Sequence, residues 1–248
     1  MKRYYSAVKP FEKRKKKRPI FKLLLAIMRI FFPRDEFIWK TQKPKDGEAF
    51  IFVSNHTKIY APLSFILNYE KPIRPWSNAN LLTFKDVREH MFKNVVRNRK
   101  PKYLLYALSV LLSPLIIWFF RSLEVIPVYK KDRRIQTTFE KSIWTMEEGV
   151  HQIVFPEKLE NWANKYIFEL NQGFAYVAKE YYDKTNKIMK FYPVYVCKSL
   201  KKVLIGEPIA YNPDIHFKKQ REQICRFLEN GIKELGDSLP EHEIEIYE

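Results

Sequence analysis

The residues best suited to chemistry stand where apolar runs stop. Residues 49–53 form such a run, and it ends at Ser54-Asn55-His56-Thr57-Lys58-Ile59-Tyr60-Ala61-Pro62. An imidazole exchanges its proton near neutral pH and can serve as a general base. The proline six residues on suits the first turn of a helix, where no backbone donor is needed. A second run, His151-Gln152-Ile153-Val154-Phe155-Pro156, delivers the carboxylate of Glu157, and a third ends in a cationic loop holding Lys130, Lys131, Arg133 and Arg134. A His between the carboxyl end of a buried strand and a helix sits at the rim of an open α/β sheet, where ligand crevices form. A single His also caps turns, and both readings stand at this point.

Several elements must position these groups. Asp46-Gly47 precedes the 49–53 run, which reads as a strand buried on both faces. Residues 63–69 read as a short helix closed by Pro72, and residues 73–80 as a second strand. Leu82, Val87, Met91 and Val95 recur at helical spacing. Residues 123–129 read as a strand. Ile135, Phe139, Ile143 and Met146 mark a helix stopped by Gly149. Ile167, Leu170, Phe174, Val177, Ala178 and Tyr181 mark the next helix, residues 191–196 and 203–208 two further strands, and Ile224, Phe227, Leu228 and Leu235 a final amphipathic helix. Strands alternating with helices predict a single α/β domain, a mostly parallel mixed sheet flanked by helices.

The 248 residues, 46% hydrophobic, suffice for one substantial core. Cys197 and Cys225 form no disulfide framework and no metal-ligand spacing, which points to a reduced, intracellular setting. The net charge of +17 is uneven: residues 1–100 hold 24 Lys and Arg against 8 Asp and Glu, residues 201–248 only 7 against 10. A polyanionic partner is therefore expected at the amino-terminal half. Six cations run from Lys13 to Arg18, and residues 21–32 follow as an apolar stretch broken by Lys22 and Arg29. Twelve residues are too few to span a bilayer, which takes about 20. They suit a helix lying in a membrane interface, its cations on anionic head groups. A nucleic-acid tail is the weaker reading, since nucleic acid does not need the adjoining apolar run. The expected division is an apolar, membrane-associating segment over residues 1–36 and an α/β domain over 37–248. Residues 103–120 carry no charge. As a helix they reach about 27 Å against a hydrocarbon core of about 30 Å, with Pro114 expected to break them near the middle. They are read as one or two helices that cover the fold or dip into one leaflet, a buried helical hairpin being the alternative.

Four blocks, in order, resemble those of the glycerolipid acyltransferases, the family of lysophosphatidic acid acyltransferases and their relatives. They are Asn55-His56, Ile126-Pro127-Val128-Tyr129-Lys130, Phe155-Pro156-Glu157 and Tyr192-Pro193-Val194. The resemblance covers roughly residues 37–210. It implies transfer of an acyl chain from a thioester, on coenzyme A or acyl carrier protein, to a hydroxyl of a lysolipid, at the cytoplasmic face of a membrane and with no metal or redox cofactor. His56 would be the base, Glu157 its support or an acceptor ligand, and Asn55, Thr57, Lys58, Tyr60, Lys130, Lys131, Arg133 and Lys158 candidates for holding substrate and its phosphates. Anionic membrane, lysolipid, acyl thioester and acyl carrier protein are the expected partners; nucleic acid is not.

The chain departs from the family pattern twice. The family carries an Asp five residues after the His, to orient and polarise the imidazole, where this chain has Ala61. It continues Gly-Thr-Arg after the Glu, where this chain has Lys158-Leu159-Glu160. The first departure leaves support of His56 to another group, with Glu157 and the Tyr60 hydroxyl as candidates. It also opens a second reading, a non-catalytic protein of the same fold that binds lipid or a partner at the membrane. The second departure removes the family's phosphate-binding Arg and leaves Lys158 as a point charge without the bidentate fork.

Overall fold

The computed structural model describes residues 18–92, 101–129 and 134–244. Its elements in chain order are α1 (Pro19–Phe31), β1 (Glu36–Trp39), β2 (Phe50–Ser54), α2 (Tyr60–Asn68), β3 (Ile73–Asn78), α3 (Phe84–Met91), α4 (Lys102–Ser122), β4 (Ile126–Val128), α5 (Ile135–Glu147), β5 (His151–Val154), β6 (Glu157–Asn164), β7 (Ile167–Leu170), α6 (Tyr176–Thr185), β8 (Lys190–Cys197), β9 (Lys202–Ile205), β10 (Ile209–Ala210) and α7 (Phe217–Asp237). The main sheet runs β1-β9-β8-β2-β5-β3-β4, with β10 also on β8. β1 on β9 and the run from β8 to β4 pair in parallel, while β9 and β10 are antiparallel to β8. This is the mostly parallel mixed sheet flanked by helices that the sequence predicts.

β2 is central and buried along its whole length. Because side chains alternate across a pleated strand, Ile51 and Val53 enter one core with Phe139, Val177 and Leu228 from α5, α6 and α7. Phe50 and Phe52 enter the other, with Phe65 and Tyr69 from α2 and its end. Both faces are thus greasy, as a parallel strand sandwiched between helices requires. β8 carries Pro193 in its interior, where a missing N–H is normally excluded. On that side β10 takes residues 190–191 and β9 takes 194–197, so Pro193 falls in the gap between two partners, its carbonyl accepting from Gly206 N–H at 3.0 Å. α7 crosses the proline closely: a Cβ on Gly231 would meet Pro193 Cγ at 2.9 Å.

Four expectations change. Residues 103–120 form one unbroken helix, α4, that runs through Pro114. Ser113 Oγ donates to Ser109 O and Ser109 Oγ to Tyr106 O, both at 2.7 Å, local side-chain bonds that engage carbonyls in the turns before the proline. The 123–129 strand is only Ile126–Val128, because Glu124 takes a left-handed turn at φ 55°. The helix expected to begin at Ile167 starts at Tyr176. Ahead of it, β6 and β7 form a hairpin, turned where Asn164 Oδ1 accepts Tyr166 N–H at 3.0 Å. β1 was not foreseen. Val95 lies outside the described residues.

The apolar stretch at residues 21–32 is helical, as expected, up to Phe31, where α1 ends and Phe32 turns to extended backbone. Phe21 is buried edge-on against Trp118 and Phe119 of α4, and Arg29 Nε donates to Leu67 O at 2.9 Å. The outward sides of both helices are greasy: Ile20, Leu23, Ile30 and Phe31 of α1 and Leu104, Leu108, Leu111 and Leu115 of α4 are exposed. Among the described residues α4 alone is long and apolar enough to cross a membrane, judged by length and composition.

Candidate active site

His56 lies two residues beyond the carboxyl end of β2, the strand with parallel neighbours on both sides. The loop that carries it is pinned from three directions. Asn55, 4% exposed, accepts Val196 N–H at its Oδ1 (2.8 Å) and donates from Nδ2 to Val196 O (3.2 Å), so its amide is spent on the backbone of β8. Thr57 Oγ1 accepts Ala61 N–H at 3.0 Å and its carbonyl accepts Tyr60 N–H at 2.9 Å, satisfying donors that open α2. Lys58, between them, is exposed and left-handed at φ 49°. Glu157 closes the third side: its Oε1 accepts His56 N–H and its Oε2 accepts Phe168 N–H, the latter at 3.1 Å. The first and third sequence blocks therefore meet through the bond from His56 to Glu157, and Asn55 ties the first to Val196 on β8, the strand that carries the fourth. The second block supplies β4 at the far side of β3, and Lys130, Lys131 and Arg133 lie outside the described residues.

The two titratable groups are pushed in opposite directions by the same burial. Desolvation lowers the His56 imidazole to about 4, only partly opposed by a bond to its own backbone. Desolvation raises the Glu157 carboxyl to about 7, against the two backbone N–H donors that favour its charge. At neutral pH the imidazole is therefore a neutral proton acceptor. The Phe155 ring stands edge-on to it, centroids 5.2 Å apart, and walls off that side.

The groups named as supports of the imidazole have other duties here. Both Glu157 oxygens go to backbone N–H groups, so the carboxylate fixes the chain that carries His56 and not the ring. The Tyr60 hydroxyl donates to Asp35 Oδ1 at 2.5 Å, and its ring packs on Phe32 at 5.1 Å. Ala61 is fully buried. Lys158 follows Glu157 on β6 and so takes the opposite pleat direction; its charge acts on Glu229 and Cys225 of α7.

Two residues of this edge escaped the sequence reading. Lys198, in the turn after β8, holds its Nζ 5.7 Å from the Tyr60 ring centroid, and Asp35 anchors Tyr60. Lys198 was findable as the first cation after the fourth block. Asp35 was not, because its role depends on how the chain entering β1 passes α2.

No protein-family model and no curated protein matches the chain. Among solved structures it is similar to the 1-acyl-sn-glycerophosphate (LPA) acyltransferase PlsC from Thermotoga maritima. The two are 17% identical, with a TM-score of 0.46 over 90% of this chain and 80% of that one.

Proposed function

We propose that this protein is a membrane-associated acyltransferase that moves a fatty acyl chain from a thioester to a hydroxyl of a lysophospholipid or related glycerolipid. One observation carries the reading: the Phe-Pro-Glu block clamps the backbone of the Asn-His block, and the Asn of that block clamps the strand of the Tyr-Pro-Val block. Residues a hundred or more positions apart are thereby joined at one end of the sheet around a half-buried, neutral imidazole.

In this mechanism the His56 ring takes the proton of the acceptor hydroxyl as its oxygen attacks the thioester carbonyl. The new C–O bond forms, the tetrahedral intermediate collapses with loss of the C–S bond, and the imidazolium returns its proton to the departing thiolate. Glu157 acts as a positioning residue through the backbone of His56. Lys58, exposed two residues after His56, is a cation at this end of the sheet that can meet a phosphate of acceptor or carrier. The exposed apolar faces of α1 and α4 support attachment to a lipid surface.

The buried Ala61 favours a second reading, the non-catalytic protein that binds lipid at the same edge. Release of free coenzyme A on vesicles, across a panel of lysophospholipids and lysoglycolipids, separates the two. Acceptor-dependent release by the wild type that is lost in His56→Ala supports the enzyme. Silence of the wild type with both acyl-coenzyme A and acyl carrier protein, with vesicle binding intact, overturns it in favour of the binding protein.

A further inference from the structure

At the opposite end of the sheet a cleft of about 260 Å³ opens between α1, α4 and α5, lined by Arg18, Leu82, Phe120, Arg121, Glu124, Val125 and Lys141. Val125 immediately precedes β4, so the cleft lies at the amino-terminal end of strands whose carboxyl ends face His56. It shares no residue with that site.

Its charges are organised. Glu124 bridges two guanidiniums, Arg18 through Oε1 and Arg74 through Oε2. Burial works to raise its carboxyl, but Arg74 and Arg18 outweigh that and hold it low. Arg74, with little exposure, also reaches Glu148 at 2.8 Å and Thr145 at 3.2 Å and lies over the Trp144 ring. Arg18 further donates to Ser122 O at the end of α4. Two carboxylates are thus matched by Arg18 and Arg74. Arg121, which donates to Leu82 O at 3.0 Å, and Lys141, which donates to Val125 O at 2.6 Å, add two positive charges to the same walls. Lys141 bears the consequence: burial first, then Arg74 and Arg18, depress its ammonium to about 8 against the pull of Glu124. A half-buried ammonium beside two guanidiniums is stabilised further when an anion enters the cleft. The wall beside these cations is apolar, formed by Leu82, Phe120 and Val125. The two helices that frame the opening, α1 and α4, are those with exposed greasy faces.

We propose that this cleft is a binding site for a phosphate group, with Arg121 and Lys141 as its charged contacts and Phe120 and Leu82 packing the carbon skeleton attached to it. The phosphate belongs either to a phospholipid of the bilayer on which α1 and α4 rest or to a soluble phosphate ester. The inference does not rest on catalysis at His56.

The test uses the full chain at constant ionic strength, with glycerol 3-phosphate as the soluble probe. The lipid probe is phosphatidylcholine vesicles with and without phosphatidic acid. Thermal unfolding midpoints and titrations are compared for wild type, Arg121→Gln and Lys141→Gln. The wild type is expected to gain stability with at least one probe, and each variant to bind that probe about ten- to hundredfold more weakly, the loss for a charge-assisted hydrogen bond. A variant-sensitive gain with phosphatidic acid and none with glycerol 3-phosphate identifies the lipid source, and the reverse identifies the soluble ester. Arg121 is exposed, so Arg121→Gln tests the site even where Lys141→Gln fails to fold. No response of the wild type to either probe, or a response that Arg121→Gln leaves unchanged, overturns the proposal.

Discussion

Replacing Ala61 by Asp tests whether His56 lacks a carboxylate and little else. Burial holds the imidazole at about 4 against an ordinary 6.5, a gap worth about 3 kcal/mol at roughly 1.4 kcal/mol per unit. That is the extra cost of the imidazolium that base catalysis must form. A carboxylate within about 4–6 Å raises such a group by about 1–3 units, returning His56 to roughly 5–7, closer to the optimum for a base working at neutral pH. The backbone at position 61 is well placed for this. It lies in the first turn of α2, fully buried, with its N–H held by Thr57 Oγ1, so an Asp there projects from a fixed point close to the loop that carries His56. Two measurements are needed: the His56 titration by NMR, and coenzyme A release at neutral pH. Ala61→Asp should raise the titration by at least about one unit and turnover by about tenfold or more, since each 1.4 kcal/mol recovered is about tenfold. A titration that rises with no change in turnover refutes the claim that proton uptake by His56 limits the reaction. A folded variant whose His56 titrates as before refutes the claim that position 61 addresses the imidazole.

Other consequences follow from the same geometry. Gly231→Ala drives a Cβ to 2.9 Å from Pro193 Cγ and should cost about 1–3 kcal/mol in urea unfolding, as overpacking does; an unchanged midpoint would disprove the close approach of α7 to β8. Leu111→Ser with Leu115→Ser, on the exposed face of α4, should weaken sedimentation with vesicles while leaving the unfolding midpoint in solution nearly unchanged; equal vesicle binding would remove α4 from the lipid surface. Glu157→Gln offers one oxygen to the N–H groups of both His56 and Phe168, so turnover should fall with the loosened loop. Its effect on stability should depend on pH. Burial raises the Glu157 carboxyl to about 7, so its contribution is full below about 4.5 and lost as pH rises through about 7. The variant's deficit should therefore shrink from pH 5 to pH 8, and a deficit constant with pH would argue against a raised carboxyl.

What could be read in advance was what local pattern encodes. β2 declared itself by five apolar residues after Asp46-Gly47 and a polar stop, and α5 by Ile135, Phe139 and Ile143 at helical spacing with Gly149 as a left-handed end. The hairpin was misread for a physical reason. Ile167, Leu170 and Phe174 fit one helical face, and the reversal at Asn164 depends on an Asx bond that competes with the helix only once β6 is present to pair. The His56 loop was legible as a position but not as a set of contacts. Nothing in Asn55 announces that its amide will bind Val196, 141 residues away. Nothing in Glu157 announces that its oxygens will bind backbone and leave the ring alone. Those assignments depend on which strands become neighbours, and topology is not written in any one segment.

The use of Glu157 on the backbone changes what a chain with Ala at position 61 must accomplish if His56 is to act as a base. In the free protein a protonated His56 would be buried with its charge opposed by desolvation, and this alone would make it a poor base. In the proposed acyl transfer the imidazolium does not form alone: it appears together with a tetrahedral oxyanion a few ångströms away. Opposite charges formed as a pair in a dry site stabilise one another far more than water would allow. The cost read from the free imidazole is therefore an upper bound on the cost in the reaction, provided the ring is held in place as the pair forms. Holding it is what Asn55, Thr57 and Glu157 accomplish through the main chain. On this argument the three pinning residues matter more to the proposed turnover than they would beside a carboxylate that gripped the ring directly, and Ala61→Asp should make turnover more tolerant of Glu157→Gln.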